Sequence, residues 1–372
     1  MDATQFRRHL HRNPELSFEE FETAKFISTE LTKLGVSHRP IAKTGILAKI
    51  EGRGDLKRAV VLRADIDALP IEEQTGLEYS SQTKGVMHAC GHDIHAATLF
   101  GVVKKMCVNP DFEGTLFALF QPGEERNPGG ASYVLAEEPF EGYDVVAVVG
   151  EHVEGQLPVG TVGFREGKYM ASSDEIRFNV VGVGGHGAMR HKLKDPVEAA
   201  AAFLTKLLSV NREDLVLSIG RFIAEGATNV IPQSVYLEGT MRTFDEDERR
   251  ATKEFIAESA RQIENQYGVE VQVDISHGFP CVVNTPELVQ AAREIAQKEL
   301  SLNVESLPLR TTSEDFGFYT TRYPSLFYRV GVASSDGVCG APHTATFSPN
   351  EEAINVAIEL MSSVALKLLT ND

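Results

Sequence analysis

Cysteine is scarce in this chain. The four cysteines, Cys90, Cys107, Cys281 and Cys339, are scattered, so a disulfide scaffold is not expected and a reducing cytoplasm fits. Basic charge is also in deficit. Lys and Arg total 36 against 53 Asp and Glu, a net charge of −17. A nucleic-acid backbone or an anionic membrane surface needs clustered cations, so neither is an expected partner. Long apolar runs are missing too; none approaches the roughly 20 residues of a membrane span. The first residues, MDATQFRRHLHRNPELS, lack the apolar stretch of a secretory signal, and none is expected. There is no low-complexity tract and no internal repeat.

What is present is ordinary globular composition, 42% hydrophobic and 24% charged, over 372 residues. That length exceeds what one core usually organises, so two domains are expected. In the first half, short apolar strands alternate with helical spacing. GILAKIEG, AVVLRADIDALP, GTLFALFQPGEE and DVVAVVGEH read as buried strands, each ending in polar residues. FEEFETAKFISTELTKLG and HAATLFGVVKKM read as helices. This alternation predicts an α/β fold with a mainly parallel sheet covered on both faces. Reactive groups in such sheets collect beyond the carboxyl ends of the strands. Those ends carry Asp65, Asp67, Glu124, Glu125, Glu151 and His152.

The pattern changes near Ser173. Strand, helix, strand, strand, helix and strand follow one another to about Phe279, with Asp195 and Pro196 opening the first helix. That order predicts an inserted ferredoxin-like α+β domain over 173–283. Residues 1–172 and 284–372 then form one discontinuous catalytic domain. In the last segment Thr285 and Pro286 open a helix, and Ser348, Pro349 and Glu351 fit a capping box.

MHACGHDIH, Met87 to His95, holds five possible metal ligands in nine residues. Cys90 and His92, with Gly91 between, sit in a loop before a helix, where both side chains can converge. Alone the pair is weak, because short Cys-x-His pairs arise by chance. Glu124 and Glu125, His152 and His343 at other strand ends strengthen it. A thiolate with imidazoles and carboxylates makes a Zn, Mn, Co or Ni hydrolytic site, and a spare carboxylate can take the proton of a metal-activated water.

Each residue also has a plainer reading. Paired glutamates at a strand end are ordinarily solvated, and a lone His343 in a polar loop is ordinarily exposed. His88 and His95 read as support for the helix start or as local hydrogen-bonding groups, and Asp93 as its N-cap or dipole partner. Cys107 and Cys281 read as small core residues, and Cys339 as a packed or plain loop thiol. GVGGHGAMRH follows a strand, but RHKLK separates it from the next helix, which breaks the dinucleotide fingerprint. Its glycines instead let the backbone turn and present His186.

RADIDALPI, MHACGHDIH, QPGEE, GTVGFREGKYMASSDEIRF, GGHGAMRHKLKDP, TNVIP, GTMRTF and SEDFGFY fall in an order that resembles a known family. It is that of the di-metal amidohydrolases related to aminoacylase, hippurate hydrolase, N-acetyl-diaminopimelate deacetylase and the plant auxin-conjugate hydrolases. The likeness runs over nearly the whole chain. It implies a di-metal catalytic domain with an inserted lid that also dimerises. It implies Cys90, His92, Glu125, His152 and His343 as ligands of two divalent ions, with Cys90 as the bridge. It implies Glu124 as general base and acid, and Asp67 as the acid that orients a ligand or bridging group, a duty Asp65 shares. His186 corresponds to a histidine that reaches a neighbouring subunit's site and stabilises an oxyanion. Asn229 and Arg242 match a pair that holds the substrate carboxylate; without the family, Arg242 would read as a surface ion pair.

The chain departs from the family at Arg190, at Glu151 before His152, in the loop EGQ, and in APHTATF around His343. The extra charge of Arg190 and Glu151 is expected near the site's mouth. The expected activity is removal of the acyl group from N-acyl amino acids of N-acetyl or N-benzoyl type. A dipeptidase or carboxypeptidase with the same site is the nearest alternative, and a non-catalytic binder of amino-acid conjugates is an alternative of another class.

Overall fold

The computed structural model describes residues 1–108, 110–334 and 339–370. The chain forms two compact units. One is Met1–Tyr169 with Val283–Pro308 and Asp315–Asp372; the other is Met170–Val282 with Leu309–Glu314. The segment Leu309–Glu314 lies inside the stretch that the sequence assigned wholly to the first unit. Its place follows from its bonds: Ala171 N donates to Arg310 O at 3.0 Å, and Arg242 Nη1 to Thr311 O at 3.1 Å.

The first unit is built on an eight-stranded sheet. Its order is Ser37–Ile41, Gly45–Glu51, Thr115–Gln121, Arg58–Asp65, Asp144–Pro158, Ser325–Ala333, Thr161–Phe164, Asn303–Ser306. From Thr115–Gln121 to Ser325–Ala333 the neighbouring strands pair in parallel; antiparallel pairs lie toward the edges. Thr115–Gln121 and Ser325–Ala333 are buried along their whole length, as strands covered on both faces must be. Val60, Leu62, Ala118, Phe120, Val149 and Tyr328 enter a core shared with helices Ala3–Arg12, His92–Val108 and Ala353–Leu369. Each such large apolar side chain contributes about 1.5–3 kcal/mol when fully buried. This is the mainly parallel α/β sheet that the sequence predicts.

Two caps differ from expectation. The last helix begins at Ala353 without a side-chain cap, because Glu351 pairs with Arg7 and Arg8 instead of closing a box with Ser348. Thr285 precedes its helix, but its hydroxyl accepts from Ser325 N at 3.0 Å. Ala3–Arg12 is a helix the sequence reading did not isolate; Asp2 and Gln5 form its capping box.

The second unit carries strands Asp174–Val181, Leu215–Ile223, Ser234–Thr243 and Glu270–Ile275 with helices Pro196–Leu208 and Glu246–Tyr267. The sheet order is Leu215–Ile223, Ser234–Thr243, Asp174–Val181, Glu270–Ile275, all antiparallel. Burial alternates along Asp174–Val181, so Ile176, Phe178 and Val180 meet Phe203, Leu207, Ile256 and Ile263 of the helices. This is the ferredoxin-like β-α-β-β-α-β order. Asp195 Oδ1 accepts from Val197 N and Glu198 N, with Pro196 next, as the sequence predicts. Among the described residues no helix is long and apolar enough to cross a membrane.

Candidate metal centre

In the first unit the parallel strands deliver polar residues to one edge. Asp65 ends Arg58–Asp65 and Asp67 follows it. Glu124 and Glu125 follow Thr115–Gln121. His152 lies within Asp144–Pro158, a strand that runs on through the residues read as the loop EGQ. Cys90 and His92 stand at the start of His92–Val108. Gly91 between them has φ +92°, and a Cβ there would lie 2.6 Å from Val153 Cγ2. Only glycine fits that turn.

The side chains converge on Cys90. Its Sγ stands 3.3 Å from His152 Nε2 and 3.3 Å from His343 Nε2. Glu125 Oε1 is 3.2 Å from His343 Nε2 and 3.9 Å from His92 Nε2. Donor atoms of Cys90, His92 and His152 lie within 4.8 Å of one another; so do those of Cys90, Glu125 and His343, and those of His92, Glu124 and Glu125. The first two groups share the thiol.

The imidazoles are aimed by their other nitrogens. His92 Nδ1 meets Asp67 O at 2.9 Å and Asp67 Oδ1 at 3.1 Å. His152 Nδ1 meets Val153 O at 2.8 Å. A ring nitrogen facing a carbonyl oxygen donates its proton there, which leaves Nε2 as a lone pair turned to the cluster. His92 Nε2 is buried and has no hydrogen-bond partner. A buried acceptor without a donor costs about 1–3 kcal/mol, and a cation removes that cost. The residues therefore fit a divalent metal: one thiol, three imidazoles and a carboxylate, with outer partners already fixed. Burial and the nearby Glu125 push the Cys90 thiol up to about 12, a shift that a coordinated cation reverses.

Comparison with known proteins decides the family. The model of Peptidase family M20/M25/M40 matches residues 61–367. The chain belongs to this family. It is therefore a hydrolase of amide bonds. The chain is 37% identical over 374 residues to N-acetyl-L-cysteine deacetylase of Bacillus subtilis (strain 168), covering 98% of this chain and 88% of that protein. It is 35% identical over 365 residues to N-acetyldiaminopimelate deacetylase of Geobacillus thermodenitrificans (strain NG80-2), with 96% and 95% covered. The crystal structure of a Bacillus subtilis protein described as a dinuclear metal binding peptidase from the M20 family superposes with a TM-score of 0.86. It shares 34% identity and covers 99% of this chain and 97% of its own.

Several residues of this M20 chain stand differently from their sequence reading. Asp93 makes no cap bond, though it stands in the helix's first turn as a dipole partner would; buried, it pairs with Arg7 Nε and His11 Nδ1, both at 2.8 Å. His95 is not local support, since its Nδ1 reaches Asp65 Oδ1 at 2.6 Å. His88 is buried with both ring nitrogens unpartnered. Glu151 is 1% exposed, so its charge is not at a mouth; it accepts from Tyr328 OH at 3.0 Å, and burial raises it to about 7. Arg190 is exposed but is paired with Glu198. Cys107 is half-buried rather than core, while Cys281 and Cys339 are buried.

Further residues of the site carry no motif. Ser17 Oγ donates to Asp67 Oδ2 at 2.6 Å, and Glu125 N to the same oxygen at 3.0 Å. Asp67 thus ties the His92 ring to the Glu125 main chain. Glu20 Oε1 accepts from Gly123 N at 2.8 Å and so grips the QPGEE loop. No motif announces these contacts; the only cue is that Glu20 and Ser17 would be polar residues beside apolar neighbours.

In the second unit, His186 pairs with Val230 across the strands Gly185–His186 and Val230–Ile231. Its exposed ring accepts from Ala188 N at Nδ1, 3.2 Å away, so the neutral ring keeps a free Nε2–H donor. Asn229 is beside it, its carbonyl accepting from Gly187 N at 2.9 Å. Arg242 is half-buried on Ser234–Thr243 and donates to Thr311 O and Ser313 Oγ. Among the described residues no carboxylate pairs with it, so the surface-ion-pair reading fails.

Proposed function

We propose that this M20 chain removes the acyl group from N-acyl amino acids of N-acetyl or N-benzoyl type. Two divalent ions, Zn, Mn, Ni or Co, would be held by Cys90, His92, Glu125, His152 and His343. The observation that carries this reading is the Cys90 thiol 3.3 Å from two imidazoles, each leading to a donor group of its own. The deacetylase relatives support the acyl-amino-acid class. When bound, the ions lower the pKa of a water and polarise the amide carbonyl.

The chain's own residues do the rest. Glu124 takes a proton from the attacking water and delivers it to the leaving amine nitrogen, so water and amide become acid and amine. Asp67 keeps His92 Nε2 turned inward. His186 donates Nε2–H to the developing oxyanion, from the inserted unit of a second subunit in a homodimer. Asn229 and Arg242 hold the free carboxylate of the amino acid. The small N-acylated substrate is the partner, in a cytoplasmic setting that keeps Cys90 reduced.

The test is Glu124→Gln, assayed with N-acetyl and N-benzoyl amino acids and with dipeptides after loading with each metal. The expected result is wild-type metal content with kcat lowered roughly 10²- to 10⁴-fold. Near wild-type hydrolysis would remove Glu124 from the role. Preference for dipeptides would favour a peptidase, and substrate binding without turnover by wild-type protein would favour a binder.

A further inference from the structure

We propose that His95 is a positioning residue for His152: with Asp65 behind it, it holds the Val153 main chain whose carbonyl aims the His152 ring. The proposal rests on the reading of His152 as a metal ligand.

The strand pairing leaves a gap that His95 fills. Arg58–Asp65 pairs with Asp144–Pro158 only as far as Arg63 opposite Gly150. Beyond that point Val153 N has no ladder carbonyl on this side, and it donates to His95 Nε2 at 3.0 Å. A buried main-chain N–H needs such an acceptor. His95 accepts at Nε2, so its proton sits on Nδ1 and goes to Asp65 Oδ1 at 2.6 Å. Asp65 Oδ2 takes Arg63 Nη1 at 2.6 Å. Arg63 in turn binds Gln121 Oε1 at 3.0 Å and Asp315 Oδ1 at 2.6 Å. All of these groups are buried. The far end of the relay is therefore fixed to the neighbouring strand end.

The near end reaches the ligand. Val153 O receives His152 Nδ1 at 2.8 Å, which turns His152 Nε2 toward Cys90 Sγ. The His95 and His152 rings also pack, with centroids 4.8 Å apart. One residue, Val153, thus has its amide held by His95 and its carbonyl held by His152. Donor atoms of Asp65, His92 and His95 also lie within 4.8 Å of one another, the spacing of a metal group. The bonds argue for positioning instead: both Asp65 oxygens and both His95 nitrogens are already engaged.

The experiment titrates metal-free protein with Zn²⁺ against a chromophoric chelator, for wild type, His95→Ala, His95→Asn, His95→Gln and His152→Ala, with thermal unfolding alongside. Gln can donate to Asp65 and accept from Val153 N; Asn is too short to do both, and it serves if the Ala variant does not fold. The expected result is two ions in wild type and loss of one in His152→Ala. His95→Ala and His95→Asn keep both sites but bind one ion roughly 10- to 100-fold more weakly. His95→Gln recovers to within a few-fold of wild type, which a purely structural role would not require. Wild-type affinity in both His95→Ala and His95→Asn, with one ion lost in His152→Ala, overturns this proposal and leaves the ligand reading intact. Two ions in His152→Ala, or none in wild type, overturns the ligand reading and this proposal with it.

Discussion

Arg7 Nε lies 2.8 Å from Asp93 Oδ2, and neither side chain is exposed. This pair ties the first helix to the one that begins at His92. His11 completes it, bonded to Asp93 on one side and to Glu73 at 3.2 Å on the other. Removing Arg7 would leave the buried Asp93 carboxylate to His11 alone. Arg7→Ala is expected to lower stability by about 3–5 kcal/mol, read by urea unfolding. A loss under about 1 kcal/mol would mean the pair is replaced by solvent.

The same cluster sets a pH window. Burial works to lower His11, but Asp93 and Glu73 raise it to about 9. A raised folded value contributes stability that is complete below the unfolded value, about 6.5, and is lost as pH rises through about 9. For Glu73, burial works upward, but His11 and Ser81 N hold it at about 2. Its contribution is present above about 4.3 and is lost as pH falls toward 2. Tm is expected to be highest between these limits, and His11→Gln should flatten the alkaline limb. An unchanged limb in that variant would assign it to other groups.

Gly91→Ala should be costly. Both its φ of +92° and the 2.6 Å approach to Val153 act against a side chain. Strain of about 1–3 kcal/mol is expected from the backbone alone, with weaker metal uptake as the Cys90 and His92 loop shifts. Calorimetry and metal analysis on the same sample check both; full uptake with full stability would show that the loop yields freely.

Reloading metal-free protein should raise Tm. Ions that bind only the folded state add about 2.7 kcal/mol at a concentration 100 times Kd. Cys90→Ser should shrink the increment for Zn²⁺, since a hydroxyl is a poorer ligand than a thiolate. An identical rise in that variant would argue that the thiol is not bound.

Arg242→Ala should reduce kcat/KM for N-acyl amino acids roughly 30- to 150-fold, as loss of a charged hydrogen bond of about 2–3 kcal/mol implies. Arg242→Lys should recover only part, because a point charge lacks the planar fork. N-acyl amines without a carboxylate should react equally with all three proteins; an equal loss on those substrates would count against carboxylate binding.

The parts of the site readable in sequence are those that a strand end announces. Glu124 and Glu125 follow seven buried strand residues, and parallel strands bring such ends to one edge. Partners joined across the chain leave no such mark. Arg63 and Asp315 are 252 positions apart, and no period links them. Asp93 is half legible for the same reason: at a helix start it reads as a cap or dipole partner, and only the first helix, bringing Arg7, shows its pairing. Glu351 fits a capping pattern that its pairing with Arg7 and Arg8 overrides.

His152 is aimed by a main-chain carbonyl, and His92 partly by another. No single substitution can delete a carbonyl oxygen. The orientation of His152 is thus buffered against mutation at the residue that supplies it, whereas His92 also leans on the Asp67 carboxylate. At His152 change enters through whatever holds the backbone in place, which makes the supports of that backbone, rather than its own side chains, the points where drift or design can retune that half of the centre.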